Sequence, residues 1–115
     1  MKDISGEIEY KGRKYKMVFD FNVMEEIQEE YGTLDEWGKI SDGSQGEPNA
    51  KAVIFGFTSM LNEGLEIECE ETGEEFKPFT KKQVGRMITE VGLANATKAM
   101  NNIVVESIKS EEKNE

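Results

Sequence analysis

The chain contains no histidine. This removes the side chain most often used as a general base near neutral pH, and the commonest metal ligand. There is one cysteine, Cys69, so no intrachain disulfide can form, and a zinc site would have to be completed by carboxylates alone. Basic residues are few: 14 Lys and Arg stand against 24 Asp and Glu, a formal charge of −10. Neutralising nucleic-acid phosphates takes a basic footprint, so binding to DNA or RNA is not expected. No stretch is apolar enough to span a bilayer, and Lys2–Asp3 lead into a polar segment without the apolar core of a secretory signal. Membrane insertion and export are therefore not expected, and a lone cysteine suits a reducing compartment. Nucleophile elbow, P-loop, dinucleotide-binding and metal-spaced Cys or His motifs are all missing. Carboxylate pairs such as Glu25/Glu26 and Glu70/Glu71 are what chance supplies in so acidic a chain. Cys69 sits among acidic residues that keep its thiol protonated and a poor nucleophile. The expectation is a protein that is not an enzyme and uses no metal or cofactor.

What is present is helix and hairpin patterning. The length predicts a single globular domain over residues 1–110, followed by a disordered acidic tail at 111–115. Ile4, Ile8 and Tyr10, then Tyr15, Met17 and Phe19, alternate with polar neighbours on either side of Lys11–Gly12, which predicts an N-terminal β-hairpin with Gly12 at positive φ. Lys11, Lys14 and Lys16 decorate it and are placed to neutralise the acidic helix that follows. That helix is capped by Asn22, with Glu25 completing a variant capping box, and ends at Gly32. It is about two to three turns long and carries like-charge pairs at Glu25/Glu29 and Glu26/Glu30, so packing of Val23, Ile27 and Tyr31 has to hold it. Thr33 and Glu36 open a second short helix containing Trp37.

The segment 41–49 is an exposed loop, with Pro48 at the entrance of the most apolar helix of the chain. There Ala50, Val53, Ile54, Phe57 and Leu61 form a stripe, Phe55 and Met60 lie off it, Gly56 permits a close neighbour, and Gly64 is the natural stop. Residues 65–79 alternate again at Leu65, Ile67 and Cys69, with Thr72–Gly73 as a turn, which reads as a second short hairpin or a partly ordered loop. The glutamates between Glu63 and Glu75 match no calcium-loop register. Thr80 and Gln83 form a capping box for a helix over Lys81–Val91, and Leu93, Ala96, Met100, Ile103, Val104 and Ile108 define a longer closing helix. The fold class is α+β: a hairpin packed on four to five helices.

The order of these features resembles small phage tail proteins of the assembly-chaperone type, related to the gene-transfer-agent tail group. The likeness covers most of the chain and is carried chiefly by FDFNVMEEIQEEYG (Phe19–Gly32) and VGRMITEVGL (Val84–Leu93). The resemblance implies a prophage- or phage-encoded protein in the cytoplasm of a bacterial host. It implies the tape measure protein as partner, with the tail tube protein beside it, and a role in tail morphogenesis. The residues it suggests for partner binding are apolar positions left over from core packing: Trp37, Phe76, Phe79, Met100, Ile103 and Ile108. Each of them also reads as ordinary core. Two alternatives stand beside this reading: an acidic mimic of nucleic acid that inhibits a basic host protein, and a structural tail subunit that forms homo-oligomers.

Overall fold

The computed structural model describes residues 5–113, with side chains as far as Ser107. An antiparallel hairpin, β1 (Ser5–Tyr10) and β2 (Arg13–Val18), precedes five helices: α1 (Phe21–Tyr31), α2 (Leu34–Ser41), α3 (Ala50–Thr72), α4 (Lys81–Val91) and α5 (Leu93–Lys113). This is the expected α+β arrangement. Tyr10 pairs with Arg13 across the two-residue turn, and both turn residues have positive φ, Lys11 at 52° as well as Gly12 at 75°. Turns of that hand match the natural twist of the strands they join. Along the ladder Glu9 stands opposite Lys14 and Glu7 opposite Lys16, so the register sets acidic and basic residues across from each other. Lys51 of α3 also approaches α1, with its Nζ 3.9 Å from Glu30.

The cap of α1 is Asp20, not Asn22. The Asp20 carboxylate accepts from the Val23 N–H at 3.2 Å, while Asn22 lies inside the first turn and sends its amide to Glu63. Both residue types cap well, and the helix simply begins one residue before Asn22. Thr33 caps α2 as expected, accepting from the Glu36 N–H, and the Thr80/Gln83 box of α4 is complete in both directions.

The larger correction concerns 65–79. There is no second hairpin: α3 runs for 23 residues, through Gly64, and ends at Gly73 in the left-handed conformation with its N–H bonded to the Cys69 carbonyl. Leu61, Leu65 and Cys69 are spaced by four, and Leu61 and Cys69 are buried, so a helical face accounts for what looked like strand alternation. Glu66, Glu68, Glu70 and Glu71 fill the remaining positions, and glutamate is a good helix former that strands avoid.

Every element contributes to one core, with Met17, Phe19, Ile27, Trp37, Phe57, Met60, Leu61, Met87 and Met100 at its centre. Val18, on the outer face by alternation, is also buried, so the end of β2 is covered on both sides. The spine is α3. At Gly56 the missing Cβ leaves room for the Trp37 ring, whose Cε2 would lie 2.9 Å from it, with Met100 Sδ at 3.1 Å. The Trp37 indole N–H donates to the Ala52 carbonyl at 2.9 Å, which locks α2 onto α3. At Gly64 the carbonyl of Lys16 fills the same kind of gap, so β2 lies with its backbone against the helix.

Alanine at either position meets something that cannot easily move: an indole in the core, or a strand carbonyl. The propensity gain of Gly→Ala in a helix is about 1 kcal/mol. Against it, overpacking is worth about 1–3 kcal/mol and is the larger effect where backbone must shift. Gly64→Ala is therefore expected to lower stability in urea titrations by about 2 kcal/mol net, the upper end of the overpacking range less the propensity gain. Trp37→Ala, which empties the Gly56 notch, should cost about 3–5 kcal/mol. A Gly64→Ala variant as stable as the parent would refute the close strand–helix contact.

Candidate functional groove

The sequence expectations for partner-binding residues divide in the structure. Trp37, Met100 and Ile103 are buried, Trp37 and Met100 against Gly56 and Ile103 against Gly6 of β1. Their apolar area is already covered within the chain. Ile108 lies outside the described side chains. Phe79 and Phe76 are half-buried in the segment 73–80 that joins α3 to α4. Phe79 is held by a reciprocal clamp: its N–H donates to Asn62 Oδ1 at 2.8 Å, and Asn62 Nδ2 donates to its carbonyl at 3.1 Å. Its ring meets Tyr15 edge-on, with centroids 5.5 Å apart. This pins an otherwise irregular segment to α3 and hairpin alike.

Between the pinned segment and α1, the outward face of α3 is left as the floor of a groove of about 280 Å³. Phe55, Thr58, Ser59, Asn62, Glu63 and Glu66 line it from α3, at the spacings of one helix face. Glu26 of α1 forms one wall, and Phe76, Pro78 and Lys81 the other. Phe76 is the one residue singled out from sequence that reaches this groove. Phe55 was legible as an apolar side chain off the core stripe. Glu63 and Asp20 were hidden among many carboxylates.

The groove has a definite polarity. Glu26 accepts from Ser59 Oγ at 2.6 Å, which fixes its carboxylate on the wall. Glu63 accepts from Asn22 Nδ2 at 2.9 Å and is hydrogen-bonded to the carboxyl of Asp20. That contact with Asp20, then burial, with the charges of Asp20 and Glu66 adding, pushes Glu63 up to about 7, while the Asn22 amide acts in the opposite direction. Neighbouring carboxyl groups repel when both are ionised, and this favours the protonated form of Glu63. Across the groove Lys81 lays its ammonium 5.4 Å from the centre of the Phe55 ring. On its other side Phe55 meets Tyr31 edge-on at 5.5 Å, where the Tyr31 hydroxyl is pushed up by burial and by Glu30. Thr58 Oγ1 is buried beneath the groove with no hydrogen-bond partner in the protein.

Cys69 is remote from this arrangement in role. Its thiol donates to the Glu75 carbonyl and is pushed up by burial and by Glu74, Glu68 and Glu66, the direction expected from its acidic neighbours. Among the described residues no three acidic or sulfur side chains converge as metal ligands, and no helix is long and apolar enough to cross a membrane. Compared with protein-family models, curated proteins and solved structures, the chain matches none.

The raised Glu63 has a thermodynamic consequence. A carboxyl that binds its proton more tightly folded than unfolded stabilises the fold below its unfolded value of 4.5, and that contribution is lost as pH rises toward about 7. The thermal midpoint should thus fall between pH 5 and pH 8, and Glu63→Gln, which cannot ionise, should flatten this fall. An unchanged pH profile in Glu63→Gln would show that the Asp20–Glu63 pair is not linked to folding.

Proposed function

We propose that the protein is a non-catalytic assembly chaperone of a phage or prophage tail, holding a helical, apolar-rich segment of the tape measure protein in the bacterial host cytoplasm. The observation that carries this reading is the groove on α3, with an aromatic floor at Phe55, a second aromatic at Phe76 and carboxylates along its α1 side. A face of this kind accepts an amphipathic helix by burying its apolar side chains. The resemblance supports the same reading, because its two strings build elements around the groove. Phe19–Gly32 includes α1 and the wall residue Glu26, and Val84–Leu93 runs from within α4, whose first residue Lys81 lines the groove, to the first residue of α5.

The physical benefit to the partner is plain. A long helical protein with exposed apolar stripes aggregates, and covering a stripe removes the attraction. A cover that carries a formal charge of −10 also makes the complexes repel one another. No bond is made or broken in such a role.

Co-expression with a tape measure fragment should move that fragment from the insoluble to the soluble fraction and recover both chains together. Phe55→Ala with Phe76→Ala, expected to keep the fold because both side chains are only half-buried, should lose most of the rescue. A fragment equally insoluble with and without the protein would end this reading.

A further inference from the structure

The groove already holds one cation, the Lys81 ammonium over the Phe55 ring. The opposite side has the reverse polarity, with Glu26 from α1 and Glu63 and Glu66 from α3. The connecting segment contributes the uncharged Phe76 and Pro78, and α4 contributes Lys81. Glu63 is bonded by the Asn22 amide and by Asp20, and the charges that act on it, Asp20 and Glu66, are both negative. A proton held by Glu63 supplies the positive charge this corner needs. An incoming ammonium or guanidinium supplies the same charge and adds hydrogen bonds to the carboxylate.

We propose that this groove docks an amphipathic helix bearing lysine or arginine, whose apolar side chains lie on Phe55 and Phe76 while its cation pairs with Glu63 in place of a proton. The inference rests on the reading of the groove as a protein-binding face, and it depends on no property peculiar to a tape measure protein. It makes partner binding a proton exchange: the free protein holds a proton in the groove and the complex does not. Affinity then rises with pH across the titration of Glu63, by about tenfold between about pH 6 and about pH 8 for a group titrating near 7.

The probe is a Leu/Lys amphipathic helical peptide of about 15 residues, long enough to form a helix when docked, with a Leu/Glu peptide of the same pattern as control. Calorimetric titration of the intact protein should show binding of the Leu/Lys peptide only, about tenfold tighter at the higher pH. In buffers of different ionisation enthalpy it should report the release of close to one proton. Glu63→Gln should still bind but lose both the pH dependence and the proton release. Phe55→Ala should weaken binding at both pH values, and circular dichroism of each variant checks that it is folded. Equal affinity at the two pH values without proton release would overturn the exchange. Binding unchanged in both variants, or equal binding of the Leu/Glu peptide, would overturn the docking site. If the Leu/Lys peptide behaves as stated while a tape measure fragment stays insoluble, the tape measure reading fails and this one stands. If the fragment is rescued but Glu63→Gln alters nothing, the reverse holds.

Discussion

The close approach of two neighbours to α3 is the constraint from which this protein's shape follows. Gly56 admits the Trp37 ring and Gly64 admits the Lys16 carbonyl, each at a distance that a methyl group would forbid. Because both contacts lie on one continuous helix of 23 residues, α2 and the hairpin are located relative to each other without touching directly through those residues. The indole hydrogen bond to Ala52 then fixes the rotation of Trp37, since a buried N–H must find an acceptor. Glycine inside a helix is ordinarily unfavourable by about 1 kcal/mol. Here the loss is offset by packing that no larger residue would allow.

With one side of α3 occupied by the core, its other side becomes available. The segment 73–80 cannot drift over it, because Asn62 clamps Phe79 in both directions and Tyr15 meets the Phe79 ring. The groove is therefore a consequence of how α3 is buried, not an addition to it. Its electrostatics have a similar origin. Asp20 is recruited to cap α1, and that duty brings its carboxyl against Glu63. The side chain that caps α1 is thus also the one that raises Glu63, and the cap geometry ties the groove's charge to the N-terminus of α1.

Much of the fold was legible because local signals agreed with the final packing. The Lys11–Gly12 turn, the Thr33 and Thr80 caps, and the Gly32 and Gly92 stops all act within a few residues of chain, where sequence spacing and spatial distance coincide. The misreadings arose where two local rules competed. Asp20 and Asn22 are both capping residues two positions apart, and the choice between them was settled by Asn22 finding Glu63, 41 residues away. Gly64 looked like a stop because a glycine in a helix usually is one. Only the position of β2 shows that it is a contact. Leu65, Ile67 and Cys69 satisfy strand alternation and, in part, a helical face. The surrounding glutamates were the signal that could have decided for helix.

The candidate site was the least legible part, for a physical reason. Phe76 could be picked out as an aromatic in a polar setting, but Trp37, Met100 and Ile103 look the same in sequence whether they face a partner or a core. Glu63 is one of 24 acidic residues, and nothing in its neighbours along the chain marks it. By itself the sequence determined the α+β class, the strong acidity, most helix boundaries, and the lack of histidine and disulfide chemistry, since these depend on composition and on spacing within a turn or two. Only the tertiary structure decided which glycines are contacts, which aromatics remain partly uncovered, and which carboxyl is pushed up by its neighbours. Each of those depends on what a residue meets across the fold, and burial and Coulomb energy are set by that distance in space.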